Sequence, residues 1–152
     1  AMEKLLRPLA TVRFSVAREQ FFQQEYTRLD AAQVLLIDNI GMLSSLYQYG
    51  TWAYIGGAFG SGLHNTLEAA TFGLPVIFGP KYSKFQEAFD LVGQGAAFSV
   101  KDTAGFQRAF QRLYQDGDLT VQAGRKASQY VREHLGGTEA VMQRVKPQAH
   151  SE

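Results

Sequence analysis

The sequence contains no cysteine. That excludes disulfide staples and thiolate metal sites, while leaving the redox compartment open. No apolar run approaches the roughly 20 residues a membrane-spanning helix needs, and no signal-peptide pattern is present. Charge is sparse and balanced, with Lys and Arg at 15 against Asp and Glu at 14, a net +1. A nucleic-acid binder driven by phosphate attraction would carry a stronger basic excess. Two phosphate-binding fingerprints are missing as well. Gly57, Gly60 and Gly62 do not have the G-x-G-x-x-G spacing, and no ribose-binding acid follows about 20 residues on within an early βαβ unit. The Gly-Lys-Ser/Thr of a Walker loop is absent too. Repeats and low-complexity segments are also lacking.

What remains is globular. The 152 residues suffice for one ordinary domain with a core, and 45% hydrophobic against 19% charged residues is the balance of a folded chain. Thr11 to Phe14 reads as a first strand, and the polar, Gln-rich residues 17 to 32 as a helix or loop. Val34 to Asp38 is a continuous apolar run ending in a carboxylate, the pattern of a parallel strand covered on both faces. Met42 to Tyr49 is expected to be a short helix. Trp52 to Ile55, Pro75 to Phe78 and Ala96 to Val100 read as further strands. Helices are expected over Asn65 to Phe72, stopped by Gly73 and Pro75, and over Phe85 to Val92. Three more follow in a helical tail: from Asp102 or Thr103 to Gln115, from Asp118 to His134, and from Thr138 to Val145. Strands alternating with helices predict an α/β fold, a Rossmann-like open parallel sheet with helices on both faces. Ligands of such sheets sit beyond the carboxyl ends of the strands, where Asp38 to Leu43, Gly56 to Asn65 and Gly79 to Phe85 all fall.

The stretch Gly56 to Pro80 carries the chemistry. Four glycines between Gly56 and Gly62 allow a ligand to approach the backbone closely. A helix start offers N–H groups and a positive dipole end to an anion, and His64, Asn65 and Glu68 share one helix face. Amides for phosphate beside a fixed carboxylate for ribose hydroxyls suit a nucleotide. Other readings stay open. The glycines also suit a tight strand-to-helix turn, and Asn65 suits a helix start whatever the function. His64 and Glu68 by themselves are an incomplete metal site. Glu68, flanked by Leu67, Ala69, Ala70 and Phe72, needs a partner if buried. Gly41 lets the backbone approach a flat ring that Met42 or Leu43 would pack against; the alternative is a plain connection with Asp38 as a cap. Lys81 and Lys84, beside Phe85 and Glu87, are placed to meet an anionic sugar or simply water.

Taken together these residues resemble the C-terminal, donor-binding domain of the 3-deoxy-D-manno-octulosonic acid (Kdo) transferases, glycosyltransferases of the GT-B fold. The resemblance lies in Asp38, Gly41-Met42-Leu43, Ser44 to Tyr47, Gly56 to Phe59, Gly62 to Glu68, Phe72 to Pro80 and Phe85 to Glu87. It is close over residues 34 to 100. Met42 and Ala69 depart from it, since many relatives have Glu and Pro there.

The resemblance implies an enzyme that transfers Kdo from CMP-Kdo to a lipid A precursor with inversion, using no metal or other cofactor. It implies that Gly41, Met42 and Leu43 flank the cytosine. Asn65 and Glu68 hold the rest of the CMP, with Glu68 on the ribose, and Lys84, Phe85 and Glu87 lie near the sugar; Gly60, Gly62 and His64 are expected at the nucleotide from the loop itself. It further implies that residues 1 to 152 are one truncated donor domain. The acceptor domain, with its membrane anchor, its general base and the donor-phosphate loop, would lie outside, so the piece alone is expected to be inactive. The full-length protein is expected at the cytoplasmic face of a bacterial inner membrane. A GT-B enzyme using a UDP-sugar and a non-catalytic nucleotide-binding module are the rival readings.

Overall fold

The computed structural model describes residues 9–23 and 30–134. They fall into two compact units, one running to Leu43 and the other starting at Ser44.

In the first unit, β1 (Thr11–Arg13) leads directly into α1 (Phe14–Phe22), and β2 (Val34–Leu36) lies parallel to β1 with Val12 opposite Leu35. The expected helix-or-loop segment from residue 17 is thus helical as far as Phe22. Asp38 ties the two ends together. Its Oδ1 accepts the Ser15 amide at 3.0 Å and its Oδ2 the Ser15 hydroxyl at 2.6 Å. The carboxylate is therefore a cap, but for the start of α1, 23 residues upstream. These bonds from Ser15 hold the Asp38 carboxyl below its usual range. Its contribution is present above the ordinary carboxylate pKa and is lost as pH falls through the lowered one. The expectation that residues 34 to 38 are covered on both faces is not met: Leu35 is 48% exposed and Val34 and Leu36 are only half-buried. Among the described residues β2 pairs with β1 alone, and a two-stranded ribbon with one short helix cannot cover two faces. An open cavity of about 570 Å³ lined by Val12, Phe14, Phe21 and Leu35 remains.

The second unit is built on a parallel sheet in the order β3-β4-β5, made of Ala53–Ile55, Val76–Phe78 and Ala97–Ser99. The helix α2 (Leu43–Leu46) spans the division between the units and runs into a 3₁₀ turn at Tyr47–Tyr49. After β3 come the glycine loop and α3 (Leu67–Thr71); after β4 comes α4 (Gln86–Gly93). The long helices α5 (Thr103–Gln115) and α6 (Gly117–His134) close the described chain. The expected helix from Thr138 lies outside the described residues.

The central strand β4 shows why both faces of this sheet are covered. Side chains alternate across a strand. Val76 and Phe78 enter one core with Ala69, Ala70, Leu91, Ala127 and Tyr130. Ile77 enters another with Val100, Ala109 and Leu113. All three β4 residues are fully buried, as an all-apolar run of a parallel sheet requires. Small residues let α3 and α6 approach closely: Ala69, Ala70, Ala123 and Ala127 are buried, and Gly73 and Gly124 face one another. The Tyr130 hydroxyl donates to Asp90 at 3.0 Å, joining α6 to α4. Burial, and then the hydrogen bond to Asp90 and its charge, push its pKa up to about 12.

Helix ends follow their caps. Asp102 accepts the Gly105 amide at 2.7 Å and starts α5 as expected. Replacing it by alanine removes that bond, and an unfolding titration is expected to show a loss of about 1 kcal/mol. For α6 the capping side chain is Asp116, which accepts the Leu119 amide at 2.9 Å, and not Asp118.

Candidate functional site

The site candidates of the second unit gather at the carboxyl ends of β3 and β4, the edge where open parallel sheets bind ligands. β3 ends at Ile55 and the chain turns at once. Gly57 has φ +90, a conformation that favours glycine. Its carbonyl accepts the amides of Gly60 at 2.8 Å and Gly62 at 3.4 Å, and the Gly56 carbonyl accepts the His64 amide at 3.2 Å. The loop is therefore folded back on itself. The His64 ring lies over the Gly56-Gly57 pair: a Cβ on Gly57 would stand 2.9 Å from its Cδ2. Phe59 covers Gly79 just as closely, and Gly62 faces the ring of Phe85.

The helix behind this loop begins at Leu67, two residues later than expected. Asn65 Oδ1 accepts the Leu67 amide at 3.0 Å, and Asn65 Nδ2 donates to Glu68 Oε1 at 3.0 Å. Asn65 thus satisfies the start of the helix and fixes one carboxylate oxygen of Glu68. The set of amides expected at the helix start for an anion is reduced, because those of Gly62 and His64 bond within the loop. The five residues of α3 also carry a smaller dipole than a full helix. What the loop offers instead is a pre-set amide-and-acid pair, with Glu68 half-buried and Asn65 exposed. The structure brings Asn65 to Glu68, and Gly62 to Phe85. His64 is not drawn to Glu68. Among the described residues no three of His, Cys, Asp and Glu are grouped to hold a metal ion.

Tyr47 belongs beside this pair and was not singled out from the sequence. It packs against Phe72, with ring centroids 6.5 Å apart. Burial first, and then the negative charge of Glu68, raise its pKa. The Ser44 to Tyr47 stretch was the only signal for it. Lys81 also joins the site, donating its amide to Ala58 O at 3.0 Å and its Nζ to Gly60 O at 3.3 Å. Lys84 is exposed and Phe85 half-buried before α4. The charge of Glu87 is felt at the Tyr130 hydroxyl on α6. Gly41, with φ +91, and Met42 lie in the first unit, after β2, and Leu43 opens α2. Gly41 and Leu43 are exposed and Met42 half-buried.

No protein-family model matches the chain. It is 38% identical over 88 residues to a 3-deoxy-D-manno-octulosonic acid transferase of Aquifex aeolicus, covering 57% of this chain and 25% of that protein. Over 155 residues it is 29% identical to the enzyme of the same name from Haemophilus influenzae, covering 94% of this chain and 36% of that protein. Its sequence relatives are Kdo transferases. One from Chlamydia pneumoniae, 33% identical over 103 residues, extends the set. The chain spans only about a quarter to a third of the length of these Kdo transferases. Among solved structures it is similar to the C-terminal CMP-Kdo binding domain of WaaA from Acinetobacter baumannii. The TM-score is 0.66 at 24% identity, covering 82% of this chain and 62% of that one. The fold is therefore the Rossmann-like one of that domain, and the resemblance to Kdo transferases read from the motifs is found again across the sequence. No described helix is long and apolar enough to cross a membrane.

Proposed function

We propose that this chain is the donor-binding part of a Kdo transferase, and that its glycine loop with Asn65 and Glu68 holds the CMP portion of CMP-Kdo. The observation that carries this reading is the Asn65–Glu68 pair at the carboxyl end of β3. Asn65 engages one carboxylate oxygen, and a ribose diol is the natural partner for the other. The names of the sequence relatives and of the structural neighbour support the choice of CMP-Kdo over other nucleotide sugars. In this reading Gly60, Gly62 and His64 line the nucleotide, and Lys84, Phe85 and Glu87 lie towards the sugar.

The intact enzyme would transfer Kdo to a lipid A precursor at the cytoplasmic face of the inner membrane, without a bound metal. Its general base would come from the acceptor domain. The glycine loop with Asn65 and Glu68 would serve donor binding.

Titration of the chain with CMP and with UDP, followed by amide shifts in NMR, tests the reading. CMP is expected to bind more tightly, with shifts centred on residues 56 to 68 and no effect of a chelator. A clear preference for UDP would move the chain to another GT-B enzyme. Glu68→Ala is expected to weaken CMP binding by about tenfold or more, since a hydrogen bond to a charged group contributes about 1.5–3 kcal/mol. An unchanged affinity removes the ribose contact.

A further inference from the structure

The glycine loop is fastened from outside by one residue. Lys81 lies 21 positions beyond Gly60, after the other strand end that forms this edge. Its backbone amide donates to Ala58 O at 3.0 Å and its ammonium to Gly60 O at 3.3 Å. Two bonds from one residue therefore hold both sides of the turn at Phe59. The ammonium is exposed, and among the described residues its hydrogen-bond partner is that carbonyl. A carbonyl leaves the positive charge uncompensated, and an ammonium has three donors, of which Gly60 takes one. The charge is thus fixed in position over the loop but not neutralised. Lys84, three residues on, is exposed, and no bond to the loop ties it there.

We propose that Lys81 is a cation that meets the phosphate of the bound nucleotide, and that its bond to Gly60 couples phosphate binding to the shape of the glycine loop. This rests on the reading that the loop binds a cytidine nucleotide, and it assigns the phosphate contact to Lys81 in place of the reduced set of loop amides. Two donors of the ammonium remain for an anion while the third bonds Gly60 O. The phosphate then bonds to a preplaced charge, a stronger bond than one between neutral groups.

The test compares CMP with cytidine, which lacks the phosphate, on the unaltered chain and on Lys81→Gln, Lys81→Arg and Lys126→Gln. Lys81→Gln is expected to weaken CMP about tenfold while leaving cytidine unchanged, because glutamine keeps a donor for Gly60 and loses the charge. Lys81→Arg is expected to restore most of the CMP affinity, and Lys126→Gln, an exposed lysine on α6, to leave it unaltered. Raising the salt concentration should weaken CMP less in Lys81→Gln than in the unaltered chain. Equal losses of CMP and cytidine would make Lys81 a loop fastener only and overturn the proposal, as would an unchanged CMP affinity. An unaltered chain that binds cytidine and CMP equally would overturn the phosphate contact while the nucleotide site stands. One that binds neither would remove the site and this proposal together.

Discussion

Gly57→Ala is expected to abolish CMP binding and to destabilise the second unit. A Cβ at this position would lie 2.0 Å from the Gly62 carbonyl oxygen and 2.9 Å from the His64 ring. The first of these is a backbone atom, so no rotamer change relieves the clash. Gly57 also sits at φ +90, where an L-residue carries backbone strain of about 1–3 kcal/mol. Moving residue 57 breaks the bonds that its carbonyl receives from Gly60 and Gly62, and the loop loses the curvature that places His64 and Asn65. Thermal unfolding with CMP titration on the same sample checks both effects. A variant with the stability and CMP affinity of the parent would show that the turn does not shape the site.

Gly124→Ala is expected to lower stability by about 1–3 kcal/mol, the usual cost of overpacking a core. The direction is informative. In an exposed helix interior the same change stabilises by about 1 kcal/mol, since alanine is the better helix former. Here a Cβ would stand 2.2 Å from the Gly73 carbonyl oxygen, so α6 would have to withdraw from the end of α3. That withdrawal would open the core shared by Ala69, Ala70 and Ala127, each fully buried. Chemical denaturation measures the change directly. Because α3 follows Asn65 and carries Glu68, a weaker CMP affinity is expected to accompany it. A stabilised variant would mean that the two helices are not in contact at this point.

The strands were readable because their signal is local. Val76 to Phe78 is a short apolar run between a helix stop and Gly79-Pro80, a length and setting that fit a buried parallel strand. The same holds for the Asp102 cap, where the acid precedes its helix directly. The start of α3 was less legible. Asn65, Thr66 and Leu67 all suit a helix start, and the choice of Leu67 came from Asn65 turning its side chain onto the Leu67 amide and onto Glu68. Val34 to Ile37 misled for the opposite reason: an apolar run reports the chemistry of the side chains, not which elements pack over them.

By itself the sequence determined the α/β alternation, the glycine turn and the closeness of Asn65 to Glu68. Each depends on neighbours within one or two turns of chain, where steric limits and periodicity act. Only the tertiary structure decided that Asp38 serves Ser15, that Gly124 exists to admit Gly73, and that Lys81 holds Gly60. Those pairs are separated by 20 residues or more. Which distant groups meet is set by how strands register and helices pack, and no local pattern encodes that.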